Sequence, residues 1–125
     1  MTRFLAIFVV AILWTGASAT ADEFSGTVDR VVDGDTFWVC DGTACHKIRL
    51  CGADAPEKGE DRYRESAEAL EALVRGKSVH CVQVGGGTPC DGRSRPTNRD
   101  RIVAQCFVGE IDIAGWKALI LAAIG

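Results

Sequence analysis

Apolar residues alternate with polar ones in several short runs of this chain and recur at helical spacing in one longer run. Residues 24–32 are rich in β-branched and apolar side chains and stop at Asp33-Gly34-Asp35, a turn signal. A second strand is expected over 36–40 (TFWVC). It is followed by Asp41-Gly42-Thr43-Ala44, whose Asp-Gly pair favours a hairpin. A third strand is expected over 46–51, where Ile48 and Leu50 alternate with Lys47 and Arg49. After a polar loop over 52–63, a helix is expected over 66–75. Leu70, Leu73 and Val74 form its apolar stripe and Gly76 ends it. A fourth strand is expected over 78–84 and a fifth over 102–108. Between them, 85–101 reads as a long loop with three consecutive glycines, two prolines and four arginines. Asp112 stands where it would cap a last helix reaching about 123, with Ile113, Trp116 and Ile120 on one face.

Three strands, a helix and two strands is the order of an α+β domain built on a five-stranded OB-fold barrel, with a further helix at the C-terminus. Such barrels bind polymers across strands two and three and at the loops joining strands 1–2 and 4–5. Here those loops carry Asp33 and Asp35 on one side and Arg93, Arg95, Arg99 and Arg101 on the other. The pattern predicts a phosphate-and-metal site on one face.

The first residues are set apart from this domain. Arg3 is the only charge before Asp22, and 4–14 (FLAIFVVAILW) is unbroken apolar sequence followed by small residues. This is the pattern of a signal peptide over 1–21, cut after Ala21, with the domain over 22–125. A membrane anchor is disfavoured, because the run is too short for ~30 Å of hydrocarbon. An exported protein, periplasmic or secreted, is expected, with no stable membrane partner after cleavage. The full chain has a net charge of −3, and loss of Arg3 makes the domain more acidic still. Any nucleic acid must therefore meet a local basic site or a bound metal.

Six cysteines in a small exported domain read as disulfides. The zinc alternative is weak, since no CxxC pair is present. Many pairings are open from sequence alone. Cys40 and Cys45 flank the hairpin loop, Cys81 and Cys106 fall in strands expected to be neighbours, and Cys51 with Cys90 then remains.

Asp33, Asp35, Asp54 and Glu57 are four carboxylates on loops at strand ends. Brought together, they would repel one another without a cation, and hard oxygen ligands suit calcium or magnesium. The pattern is not an EF-hand, because Phe37 and Trp38 stand where that loop needs an oxygen ligand and a glycine. Arg49 and Arg101 are candidates for bidentate phosphate contacts. Together these parts suffice for phosphodiester hydrolysis. Read singly, Asp33-Gly34-Asp35 is only a turn and each arginine only a solvated charge.

Val31-Val32-Asp33-Gly34-Asp35-Thr36-Phe37 resembles the first signature of the staphylococcal nuclease (thermonuclease) family. Ile48-Arg49-Leu50-Cys51-Gly52-Ala53-Asp54-Ala55-Pro56-Glu57 resembles the second, of the form R-L-x-G-x-D-x-P-E. Thr97-Asn98-Arg99-Asp100-Arg101-Ile102-Val103-Ala104 resembles the segment D-R-Y-G-R-x-V-A. The resemblance runs from about Gly26 to Ala118. It implies that Asp35 and Asp54 hold calcium directly, that Ala55 lends a backbone carbonyl, and that Asp33 reaches the metal through water. It implies Glu57 as general base and Arg49 and Arg101 as phosphate-binding arginines. The implied activity is calcium-dependent cleavage of single-stranded or locally melted DNA and RNA by a monomer. Little sequence preference and 3′-phosphate ends are expected.

There are departures. Arg99 and Asp100 replace the family's Tyr-Gly, and the insert around 85–95 is longer. The family continues into another helix where this sequence stops at Gly125. A domain without it is expected to expose apolar surface and be marginally stable, with disulfides compensating by ~2–4 kcal/mol each. The competing class is an OB-type module that holds nucleic acid without cutting it, or an inactive truncated nuclease.

Overall fold

The computed structural model describes residues 23–53, 55–56, 58–85 and 88–123. The expected signal peptide, Asp54 and Glu57 lie outside them. Strand β1 (Glu23–Asp33) pairs antiparallel with both β2 (Thr36–Cys40) and β4 (Ser78–Gln83). It serves both because it bends. Its first half faces β4, and its second half faces β2 through two register shifts, between Val28 and Arg30 and between Val31 and Asp33. Such irregularities sharpen strand twist. β2 pairs with β3 (Cys45–Leu50), β3 runs parallel to β6 (Arg101–Val108), and β6 pairs with β4. The circuit β1-β2-β3-β6-β4 is therefore closed, and the α+β OB-type barrel read from the sequence is the architecture.

The alternation holds where it was expected. Phe37 and Val39 of β2, and Ile48 and Leu50 of β3, are buried inside the barrel. Helix α1 (Tyr63–Val74) covers one opening with Ser66, Leu70 and Val74, spaced four apart on one face. It starts three residues before the expected position, from Arg62 in the left-handed region. Gly76, at φ 71°, turns the chain out of it.

Two short pairings were not expected. β5 (Thr97–Asn98) and β7 (Ile111–Asp112) both pair with β6, so the end of the long loop is a hairpin. The loop is also anchored at its base. Cys51, Val84 and Val103 form a second small core with Cys90 packed against it.

All three disulfides form: Cys40–Cys45 and Cys81–Cys106 as the strands suggested, and Cys51–Cys90, the pair that then remained. The first two join residues directly opposite one another in their ladders.

Helix α2 (Ile113–Ala123) covers the expected residues but buries a different face. Ile113 and Lys117 are the residues it buries, whereas Trp116 is 44% exposed. Hydrophobicity alone pointed to Trp116, but the spacing of four from Ile113 puts Lys117 on the inner face. Asp112 precedes the helix, and its Oδ1 is buried without a hydrogen-bond partner among the described residues.

Candidate active site

The turn between β1 and β2 carries the acidic pair. Gly34 at its centre sits hard against α1: a Cβ there would lie 2.9 Å from Ser66 Cβ and 3.0 Å from Ala55 Cβ. From the other side, the Lys117 ammonium donates a hydrogen bond to the Gly34 carbonyl. The Asp35 carbonyl accepts from the Leu50 amide at 2.8 Å, which ties the turn to the end of β3. Helices α1 and α2 and strand β3 thus hold one three-residue turn.

Within it, the Asp35 amide donates to Asp33 Oδ1 at 3.1 Å, and Thr36 Oγ1 donates to Asp35 Oδ1 at 2.7 Å. Arg49 Nε lies 3.5 Å from Asp35 Oδ2. Arg101 Nη1 donates to Thr36 Oγ1 at 3.0 Å and lies 3.9 Å from Asp35 Oδ1. Its Nη2 donates to Asn98 Oδ1 at 2.9 Å, across the β5–β6 hairpin. Register explains the convergence. Thr36 is opposite Arg49 in the β2–β3 ladder, and the parallel β3–β6 pairing brings the start of β6 alongside.

Burial pushes the Asp35 carboxyl above its usual range, and the neighbouring Asp33 adds to this against the pull of Thr36 and Arg49. Burial also pushes Asp33 upward. Hydrogen bonds with Asp35 and Thr36 and the charge of Arg101 outweigh it and hold Asp33 below the usual range. Two acids this close resist carrying two negative charges, which a divalent cation relieves.

The acids face a cleft of about 450 Å³. Asp33, Asp35, Ala55 and Arg101 all line it, so four of the seven residues singled out from sequence share one surface. Arg49 lines an adjoining hollow of about 380 Å³ with Arg93 and Ser94, and reaches the first cleft only through Asp35. Asp54 and Glu57 are outside the described residues. The carboxylates of Asp33 and Asp35 and the backbone oxygen of Ala55 are the hard donors that calcium takes, so the described part of the donor set fits it. Among the described residues, no three His, Cys, Asp or Glu side chains converge as a metal site.

Several residues at the site went unread in the sequence. Thr36 links Asp35 to Arg101, and Lys47 lines the cleft while pairing with Asp100 at 3.4 Å. Lys47 had a signal, since it alternates outward with Arg49 on β3. Lys117 had only a weak one, a single charge in an apolar helix. Asp100, next to Arg101 in sequence, pairs its charge with Lys47.

No protein-family model matches the chain. It is 37% identical over 79 residues, 63% of its length, to a protein of Escherichia coli O157:H7 named an uncharacterized endonuclease. The same figures hold for an uncharacterized endonuclease of Escherichia coli. The chain spans about half the length of these curated relatives.

Proposed function

We propose that this protein is an exported, calcium-dependent endonuclease that hydrolyses DNA and RNA phosphodiesters with little sequence preference. The observation that carries this reading is the placement of Asp35 between Arg49 and Arg101, with Asp35 and Arg101 lining one cleft and Arg49 the hollow beside it. An acid flanked by two guanidinium groups in this way would combine a cation ligand with two phosphate contacts. The similarity to proteins named endonucleases supports the same reading.

Asp35, Asp54 and the Ala55 carbonyl would hold the calcium, with Asp33 acting through water. Bound there, calcium would polarise a phosphoryl oxygen and favour ionisation of water. Glu57 would take the proton of the attacking water. The new P–O bond would form as the bond to the 5′ oxygen breaks, and that oxygen would take a proton from solvent, which leaves a 3′-phosphate and a 5′-hydroxyl. Arg49 and Arg101 would stabilise the charge that builds on the phosphoryl oxygens. Thr36 and Asn98 fix the Arg101 guanidinium before substrate arrives, which limits the ordering cost of binding. The enzyme acts as a monomer on single-stranded or locally melted substrate.

The test is cleavage of single-stranded DNA by the oxidised chain, with calcium and with chelator, alongside Glu57→Gln. Cutting that needs calcium and collapses in Glu57→Gln supports the reading. A folded chain that binds the DNA and leaves it intact in calcium would move the assignment to a binding module.

A further inference from the structure

The outer face of the barrel next to the cleft carries an aromatic residue flanked by two cations. With Phe37 and Val39 buried inside, Trp38 points outward from β2. It is opposite Arg30 on β1 and opposite Lys47 on β3, so the three form a row across the strands. Arg30 takes its place through the register shift after Val28. The Arg30 Cζ lies 5.5 Å from the indole centre, and the Lys47 Nζ lies 6.0 Å from it. The next row along is Thr36 with Arg49. Two residues along a strand separate the rows, about 7 Å. Lys47 joins them, since it lines the same cleft as Asp35 and Arg101.

We propose that Trp38, with Arg30 and Lys47, is a stacking subsite for an unpaired base of a polynucleotide whose neighbouring phosphate lies in the Asp35–Arg101 cleft. The inference rests on the nuclease reading and adds where the polymer runs. The indole is outside both hydrophobic core clusters, and its Nε1 is buried without a hydrogen-bond partner among the described residues, so no polar contact of that atom with them holds the ring. Base stacking on an aromatic side chain, beside cations that track the backbone, is how single strands are held without regard to sequence. The chain is acidic overall, so a polyanion needs such a local row of positive charge. Arg30 and Lys47 cover the ring in the absence of substrate and turn to the phosphates as a base replaces them. Asp100 pairs with Lys47 at 3.4 Å but is itself 70% exposed, and a phosphate competes with it for the ammonium. Stacking requires an unpaired base, so the subsite favours single-stranded substrate over duplex.

The test is fluorescence anisotropy with two labelled probes, a short oligothymidylate and the same backbone carrying abasic residues. Both are titrated in calcium with the Glu57→Gln chain, with Trp38→Ala or Trp38→Phe added. Trp38→Ala is expected to weaken the oligothymidylate about 5- to 100-fold. It should leave abasic binding within about twofold, with Trp38→Phe in between for the oligothymidylate. A melt checks folding, and Trp38→Phe carries the comparison if the alanine variant unfolds. Equal loss on both probes, or no loss on either, overturns the subsite, and hydrolysis by the unsubstituted chain would then leave the nuclease reading standing. Absence of binding to either probe before Trp38 is changed overturns both.

Discussion

Arg101 makes three different contacts within one guanidinium: Thr36, Asn98 and the Asp35 carboxylate. That forked geometry is what a lysine lacks. Arg101→Lys should therefore keep the charge and lose most of the effect. We expect kcat on single-stranded DNA to fall about 10²–10³-fold, the cost of losing one preorganised charge-stabilising donor. The melting temperature should fall less than the activity, since the charge is kept and the contact with Asp35 is long at 3.9 Å. A steady-state assay beside a thermal melt checks both halves. Asp35→Asn is expected to differ, because on the proposed reading Asp35 is a cation ligand. On that reading calcium raises the melting temperature of the unsubstituted chain, and the rise should disappear in Asp35→Asn.

Elements are held by loops whose chemistry is local. The turn joining β1 and β2 is pressed against α1 at Gly34, where an added methyl would overlap Ser66 and Ala55. Gly34→Ala is expected to destabilise the fold by about 1–3 kcal/mol, the usual cost of overpacking, and to lower activity by displacing Asp35. Denaturant unfolding measures the first and the cleavage assay the second. The long loop before β6 has its own turn. Asp91 accepts from the Ser94 hydroxyl and from the Arg93 and Ser94 amides, and this holds its carboxyl down to about 2. A depressed carboxylate adds stability above its unfolded value and loses it as pH falls through the folded value. The turn should thus be intact above about pH 4 and open toward pH 2. The Ser94 amide resonance is expected to titrate near the folded value, and Asp91→Ala should abolish that titration.

At the scale of the whole molecule, the described residues form one barrel with two helices packed on it and three disulfides. Cys51–Cys90 ties the end of β3 to the long loop across 39 residues of sequence. Cys51→Ser with Cys90→Ser is expected to cost about 2–4 kcal/mol, read as a lower denaturant midpoint. Activity should fall as well, because Arg93 of that loop lines the hollow beside Arg49. On the proposed reading calcium would act in the opposite direction. A ligand held only by the folded state adds about 2.7 kcal/mol at a hundred times its dissociation constant. A melting temperature that ignores calcium would count against the metal site.

The alternation of Phe37 and Val39 with Trp38, and of Ile48 and Leu50 with Arg49, determined both strands and which side of each faces inward. The turn residues Asp33-Gly34-Asp35 and Asp41-Gly42 determined where the strands reverse, and strand order then determined the barrel. These features are local, because each depends on residues a few positions apart. Tertiary structure decided the rest. Lys117 reads as a flaw in an apolar helix until the Gly34 carbonyl stands opposite it. Trp38 reads as one more strand aromatic until a register shift in β1 brings Arg30 beside it. Thr36 becomes a link to Arg101 only because β3 and β6 run parallel and close the barrel. In each case the partner lies in another element, and the way that element packs sets the distance: α2 against the turn, the shifted β1–β2 register, and the β3–β6 pairing that closes the barrel.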